Sequence, residues 1–227
     1  IQGLVVQGKG GVWKRETKPF YLVEDFGCHE SKDANTNTNA LKVCSANVKN
    51  IVAVKTYNVD VLGYPLTLTN GSILIGGGTF AGQDADILNA DNRGSIITIT
   101  DAINIKVADI TLKNGYFGHG INIIHSQDIT VDNVAVDGFT IGIWVGENQD
   151  ILKGSKGVFL NNIRVLNTRY WGVNCRRQNN ATHKWITNDA DMTQDIVCSN
   201  SYFYNCHGAG FVCSEGIVKG GVLENTV

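Results

Sequence analysis

Only two prolines occur in 227 residues, and charged side chains make up just 18% of the chain. The net charge is −2, so no bulk positive field is available to hold a nucleic acid or an anionic membrane. No apolar run approaches the roughly 20 residues of a membrane-spanning helix, and no span is expected. The six cysteines contain no CxxC pair, which excludes the usual zinc spacing. The chain is long for a disulfide scaffold, and several cysteines stand where apolar residues belong, so buried thiols are expected. No secretory leader precedes Ile1 and no initiator Met is present, which suggests a mature or trimmed segment.

What the chain does have is glycine, 26 of them, together with abundant Asn, Thr, Val and Ile. That mixture favours short strands joined by tight turns. Four stretches align: "DITLKNGYFGHGINIIHSQ" (109–127), "NVAVDGFTIGIWVGENQ" (133–149), "NIRVLNTRYWGVNCRRQ" (162–178) and "NSYFYNCHGAGFVCSEG" (200–216). Each reads apolar–x–apolar, an Asn or Asp, a turn, Gly, then apolar–x–apolar. The turn residues are Asn114, Asp137, Asn167 and Asn205, with Asn225 next in line; the glycines are Gly120, Gly142, Gly172 and Gly210. A further apolar pair precedes each turn residue: Ile105 and Val107, Ile129 and Val131, Val158 and Leu160, Ile196 and Cys198. The turn-to-turn spacings are 23, 30, 38 and 20 residues, as a unit of about 20–24 residues with inserted loops would give. Three short strands per unit and no helical period predict an all-β fold, a right-handed parallel β-helix.

In such a stack each strand pairs with its equivalent about 4.8 Å above and below. Ile123, Val145, Cys175 and Cys213 then share one inward column, with Cys175 and Cys213 a strand spacing apart as stacked thiols. The turn Asn residues are expected to form a side-chain amide ladder. The glycines are expected to supply a backbone angle that few residues tolerate. The open end of the coil needs a cover. Residues 36–49 fit a short capping helix, with Ala40, Leu41, Val43, Cys44 and Val48 on its apolar side. This divides the chain into leader strands and cap (1–50) and the β-helix proper (51–227). "VLENTV" stops in mid-coil, so a continuation beyond Val227 or a covering partner is expected.

The run "FYLVEDFGCHESKDANTNTNALKVC" (20–44) resembles the segment that leads into the β-helix of phage tailspikes and related depolymerases of the pectate-lyase-like type. Phe26-Gly27-Cys28 stands where that family has Phe-Gly-Ala, and Asp33 to Leu41 where it has its polar turn and cap helix. "GKGGVWKRE" looks like the tailspike leader strand. "IVAVKTYNV" departs from the family, lacking the Pro and Gly of its Val-x-x-Pro-x-Gly-x-Tyr stretch. The resemblance implies a homotrimer in a virion tail or another extracellular setting. It implies cleavage of a bacterial surface polysaccharide, a capsule or an O-antigen. It assigns no catalytic residue, because these lie on different coils in different members.

Candidate chemistry comes from the register instead. Five residues after each aligned glycine stand His125, Glu147, Arg177 and Glu215, predicted to form one row along a coil corner. Glu147 and Glu215 would be two coils apart, roughly 9–10 Å between backbones. Inverting glycosidases hold their carboxyls about 6.5–9.5 Å apart, so this pair is the candidate acid and base. Arg177 between them would bind an anionic sugar or lower a carboxylate pKa. Two insertions leave beside the row, 148–157 and 178–194. The second brings His183, Trp185, Asp189 and Asp191; the two aspartates are further catalytic candidates, or else loop-capping residues. Trp144, pointing outward from its strand, and Trp185 are candidate sugar platforms, with His125 and His183 as binding groups. Tyr170 and Trp171 are expected to cover the solenoid flank. "DADMTQD" (189–195) lacks the Gly and terminal Glu of a calcium loop, so neither metal nor cofactor is expected. Hydrolysis is the first reading. A lyase using His125 or a Tyr as base, a non-catalytic glycan-binding solenoid and a structural shaft are the alternatives.

Overall fold

The structure, a computed structural model, describes residues 5–8, 11–14, 18–83, 94–114, 118–146, 153–175, 193–213 and 222–224. Its chain winds as a right-handed parallel β-helix with three walls. The first wall is an eight-stranded sheet running from Tyr21–Leu22 through Asn50–Val52, Ile73–Ile75, Ile103–Ala108, Gln127–Asp132, Lys156–Asn161 and Gln194–Ser199 to Val222–Glu224. The second wall has six strands, from Thr56–Asp60 to Tyr202–Tyr204. The third also has six, from Leu66–Leu68 to Ala209–Cys213. Every pairing within the walls is parallel; the separate hairpin Val5–Gly8 with Gly11–Lys14 is antiparallel.

Period-2 alternation turns one set of side chains inward, and register stacks it. Ile99, Ile123, Val145 and Cys175 form one column on the third wall, as the sequence pattern predicts, and the Cys213 backbone pairs in register with Cys175. Val107, Val131, Leu160 and Cys198 form another on the first wall, all fully buried. Phe80, Leu112, Val136 and Val165 fill the second wall's interior. Each such side chain taken from water is worth roughly 1.5–3 kcal/mol, so a polar residue inserted in any column would cost heavily. Cys28, Cys44, Cys175 and Cys198 are buried thiols in this core.

The expected amide ladder is present in part, with one correction of register: Asp137 pairs with Lys113 and Leu166, so Gly138, at φ 80°, holds the corner position of Asn114, Asn167 and Asn205, and Asp137 joins the ladder from one residue earlier. Asn167 Nδ2 donates to Asp137 Oδ1 at 2.8 Å, and Asn205 Nδ2 to Asn167 Oδ1 at 2.9 Å. A second ladder runs up the corner between the first and second walls. There Asn133 Nδ2 donates to Asp109 Oδ1 (2.7 Å) and Asn162 Nδ2 to Asn133 Oδ1 (3.0 Å). Asn114, Asn167 and Asn205 carry the left-handed backbone, with φ of 59°, 51° and 53°. Asn tolerates this conformation because its short amide bonds locally.

The role expected of the aligned glycines is corrected. Gly120, Gly142, Gly172 and Gly210 are not among the residues with positive φ. They are required by space: a Cβ on Gly142 would meet the Gly172 carbonyl oxygen and Val165 Cγ1, each at 2.5 Å, and one on Gly172 would meet the Gly210 carbonyl at 2.4 Å. The third wall enters so close to the next coil that no side chain fits.

The cap is the helix Ala34–Asn47, started by Asp33, whose carboxylate accepts from the Thr36 N–H at 2.8 Å and from the Thr36 hydroxyl at 2.7 Å. Ala40, Leu41, Cys44 and the following Val48 are buried as expected. Val43 is not: it is 47% exposed, because it sits one residue before Cys44 and so turns roughly 100° away from the buried stripe. The helix packs on Thr56–Asp60 and Leu66–Leu68, closing the first coil. Among the described residues no helix is long and apolar enough to cross a membrane.

Candidate functional site

The corner between the third and first walls is where coil length varies. Tight turns Asp101-Ala102 and His125-Ser126 make it in two successive coils. The connections between Gly146 and Lys156, Cys175 and Gln194, and Cys213 and Val222 make it in the next three. The second position of this corner is a buried column of small residues: Ala102, Ser126, Ser155 and Thr193. Its hydroxyls tie the coils together. Ser126 Oγ accepts from the Ala102 N–H (3.2 Å) and donates to the Ile124 carbonyl (2.8 Å). Ser155 Oγ accepts from the Ser126 N–H (3.2 Å) and donates to the Gly146 carbonyl (3.1 Å). Sequence reasoning passed over these serines because inserted residues separate Ser155 from Ser126.

The first position of the corner faces outward. Thr100 pairs with Ile124 and Ile124 with Gly146, so Asp101 and His125 follow in step. Both hold left-handed backbone, φ 50° and 45°, and the Asp101 N–H donates to the Ile124 carbonyl at 3.1 Å. His125 Nδ1 lies 2.6 Å from Asp101 Oδ1. A carboxylate only accepts, so Nδ1 carries a proton, and in the neutral ring Nε2 is the acceptor. The imidazole is about a third exposed. Lys153 and Lys156 come in from the following coil, and with Asp101, His125, Ser126 and Gln127 they line a cavity of about 290 Å³. Asp101 was not anticipated. Its coil has Ile96 where the others have the marker glycine, but "TDAINI" matches "IHSQDI" position for position along the first wall and contained the signal.

Beside this corner lies the outer face of the third wall. Asn122, Trp144 and Asn174 occupy neighbouring rungs of one outward column. The Trp144 ring stacks on His119, centroids 5.4 Å apart and planes 14° from parallel. Gly146 leaves room for the indole: a Cβ there would meet Trp144 Nε1 at 2.1 Å. Asn174 is fully buried, and neither amide atom has a hydrogen-bond partner; Asn122 Oδ1 is in the same condition. Native proteins pair nearly all such groups. One idle amide and one idle amide oxygen flanking a tryptophan are therefore unusual for a purely structural surface.

Of the residues singled out from sequence, His125 and Trp144 thus fall on adjoining surfaces of one region. Glu147, Arg177, His183, Trp185, Asp189, Asp191 and Glu215 lie outside the described residues, as does Asn225. Tyr170 and Trp171 cover the flank as expected, rings 5.8 Å apart, with the Arg169 guanidinium 5.8 Å from the Tyr170 centroid. Among the described residues no cluster of His, Cys, Asp and Glu could hold a metal ion.

No protein-family model and no curated protein sequence matches the chain. Solved structures do. A candidate glycosyl hydrolase from Parabacteroides merdae superposes with a TM-score of 0.64 at 10% identity, over 92% of this chain and 98% of that one. The enzymatically active domain of tailspike protein 2 from bacteriophage CBA120 gives 0.59 at 16% identity, over 99% of this chain and 36% of that one. PfbA, a surface adhesin of Streptococcus pneumoniae, gives 0.55 at 15% identity, over 81% and 48%. The chain therefore spans nearly all of the first, but less than half of the other two. At these identities the likeness is one of fold, and it places the tailspike-type β-helix among the chain's structural neighbours.

Proposed function

We propose that the chain is a polysaccharide depolymerase that works along the outer face of its third wall on a glycan of a bacterial cell surface. The observation that carries this reading is the pair of neighbouring rungs Asn122 and Trp144, both part-exposed on that face. An indole offers its face to the C–H side of a sugar ring, and the amide beside it is suited to a sugar hydroxyl. The tailspike and glycosyl hydrolase neighbours support a glycan-cleaving use of this fold, and the surface-adhesin neighbour supports an adhesive one.

Hydrolysis is the first chemical route. The register that sets Asp101 beside His125 continues, in sequence spacing, to Glu147, Arg177 and Glu215. A Glu147–Glu215 pair two coils apart would leave space for a water between acid and base, as inversion requires. Asp189 and Asp191 are the reserve carboxylates, with Arg177, His183 and Trp185 gripping substrate. A second route is favoured by the Asp101–His125 pair itself. An imidazole whose Nδ1 is fixed by a carboxylate presents Nε2 as a general base, suited to removing the proton beside a uronate carboxylate.

The experiment is incubation with a panel of capsular and O-antigen polysaccharides, followed by size analysis and ultraviolet absorbance. Shorter chains with new reducing ends and no absorbance mark hydrolysis; absorbing, unsaturated ends mark elimination. Binding with unchanged chain length makes the protein a glycan-binding solenoid, and no binding to any surface glycan ends the proposal. Homotrimeric assembly and a place in a virion tail belong to the same reading, and sedimentation in solution tests the first.

A further inference from the structure

We infer that the outer face of the first wall carries a second sugar-binding site, separate from the third-wall platform, whose ligand is a single pyranose unit presenting vicinal hydroxyls. The inference goes beyond the depolymerase reading, and its test does not require that reading to hold. A cavity of about 480 Å³ lies on this face, within the range of small-ligand sites. Its lining includes one outward column, in which Ile73 pairs with Lys106, Lys106 with Thr130 and Thr130 with Phe159. Ile73 and Phe159 are bulky and stand three rungs, roughly 14 Å, apart. The flexible stem of Lys106 and the short Thr130 leave a hollow between them. One side of the hollow is a backbone device. Ile103 pairs with Gln127 and Ile105 with Ile129, while Asn104 and Asp128 between them hold left-handed backbone, φ 60° and 56°. The same position in the next strand is Gly157, where a Cβ would come within 3.0 Å of Asp128 Oδ1. Glycine thus leaves that oxygen uncovered, while Oδ2 accepts from the Gln127 amide at 3.2 Å.

These groups fit a sugar better than an apolar occupant. Phe159 is 48% exposed, and its ring can take the C–H face of a pyranose. A carboxylate accepts from adjacent hydroxyls, the exposed Asn104 amide both donates and accepts, and the exposed Lys106 ammonium donates. A vicinal diol supplies donors and acceptors to match. A wholly apolar occupant would instead strip water from Asn104 and Asp128 and return no hydrogen bond. The first and third walls are different sheets of the coil, so this site does not compete with Asn122 and Trp144 for the same sugar. Two such sites hold different stretches of one polymer, and the first to bind raises the local concentration at the second.

The test is an NMR titration of the whole chain with the methyl glycosides of D-glucose, D-galactose, D-mannose and L-rhamnose, and with cyclohexanol as a ring that lacks the diol. Saturable shifts of the Asn104 side-chain amide and the Thr130 N–H are expected with at least one glycoside and not with cyclohexanol. Phe159→Ala removes an exposed ring and leaves the core intact; it should weaken that glycoside about threefold to tenfold. Asp128→Asn keeps a residue that tolerates left-handed backbone and should weaken it by a similar factor. Trp144→Ala should leave these shifts in place, and their loss in that variant would mean one site rather than two. No saturable shift at Asn104 and Thr130 with any of the four glycosides, or equal shifts with cyclohexanol, overturns the first-wall site. Shifts that persist in a protein that neither binds nor cuts any surface polysaccharide sink the depolymerase and leave this site standing. Cutting without such shifts does the reverse.

Discussion

Asp101 and His125 are 24 residues apart in sequence and 2.6 Å apart in space, because each opens the same corner turn in successive coils. The contact demonstrates what the solenoid offers chemistry. Residues with no local relationship become neighbours once per turn, at a spacing fixed by the backbone ladder rather than by side-chain search. Both hold left-handed φ, which swings their side chains off the strand and outward together.

Asp101→Asn tests what the contact does. The pair is exposed, so its loss should change stability by no more than about 1 kcal/mol, visible as a nearly unchanged Tm. If Glu147 and Glu215 carry out hydrolysis, the variant should keep kcat and raise KM a few-fold. A fall in kcat on the order of a hundredfold, with unsaturated product from the wild type, would instead make His125 the base.

Glu147→Gln and Glu215→Gln test the proposed hydrolytic pair directly. Each should lower kcat by about 10²–10⁴ while glycan binding, read by calorimetry, is retained. Retained turnover in both would move the acid and base to Asp189 and Asp191, whose Asn variants then become the next measurement.

Two neighbouring rungs of the third wall, Asn174 and Trp144, separate stability from the proposed binding. Asn174 buries an amide that bonds to nothing, beside Val212 in the next rung. Replacing a buried idle amide by an apolar group of similar breadth is neutral or stabilising. Asn174→Val should therefore leave Tm level or raise it, and should leave glycan binding unchanged, because Asn174 is fully buried. Trp144→Ala should weaken binding by on the order of 3- to 10-fold, about 0.5–1.5 kcal/mol. A Trp144→Ala protein that loses stability and keeps affinity would show the indole to be structural.

The coil register was legible because alternation marks the walls and Asn marks the left-handed corner at 114, 167 and 205; Asp137 misled by one residue, because Gly138 takes the left-handed position in its coil. Asp101 escaped because its coil carries Ile96 in place of the glycine used as marker, although its first-wall strand aligned without difficulty. The glycines were recognised but misexplained, since a positive φ and a carbonyl 2.5 Å from a would-be Cβ select the same residue and only the neighbouring coil tells them apart. His183, Trp185, Asp189 and Asp191 sit in an insertion with no counterpart in other coils, so no periodicity could place them.

That distinction can be measured. Gly138 has φ +80° and nothing nearer than 3.5 Å to an added Cβ, whereas Gly142 has ordinary φ and contacts at 2.5 Å. Gly138→Ala should cost about 1–2 kcal/mol, the price of a left-handed alanine. Gly142→Ala should cost more, about 3 kcal/mol or a failure to fold, because a backbone carbonyl cannot move aside. Chemical denaturation of the two variants gives the order; the reverse order would mean the third wall yields more easily than its packing implies.

Thiol chemistry checks the sealed end of the core. Burial, with a smaller push from the Glu24 carboxylate, raises the Cys28 pKa from 9.0 to about 12. The folded state therefore prefers the neutral thiol, and the unfolded chain releases its proton first as pH climbs. The Cys28 contribution to stability is complete below pH 9 and is lost progressively as pH rises toward 12. Cys28→Ala should flatten the alkaline limb of a stability–pH curve relative to wild type. At pH 8 the thiolate fraction of Cys28 is on the order of 10⁻⁴, so the folded protein should resist alkylation there. Among the described cysteines the partly exposed Cys206 should react first, while Cys28, Cys44, Cys175 and Cys198 wait for unfolding. Rapid labelling of Cys28 in the native protein would mean that the coil end under Val23 and Leu41 opens readily and that the helix Ala34–Asn47 is a loose lid, not a cap.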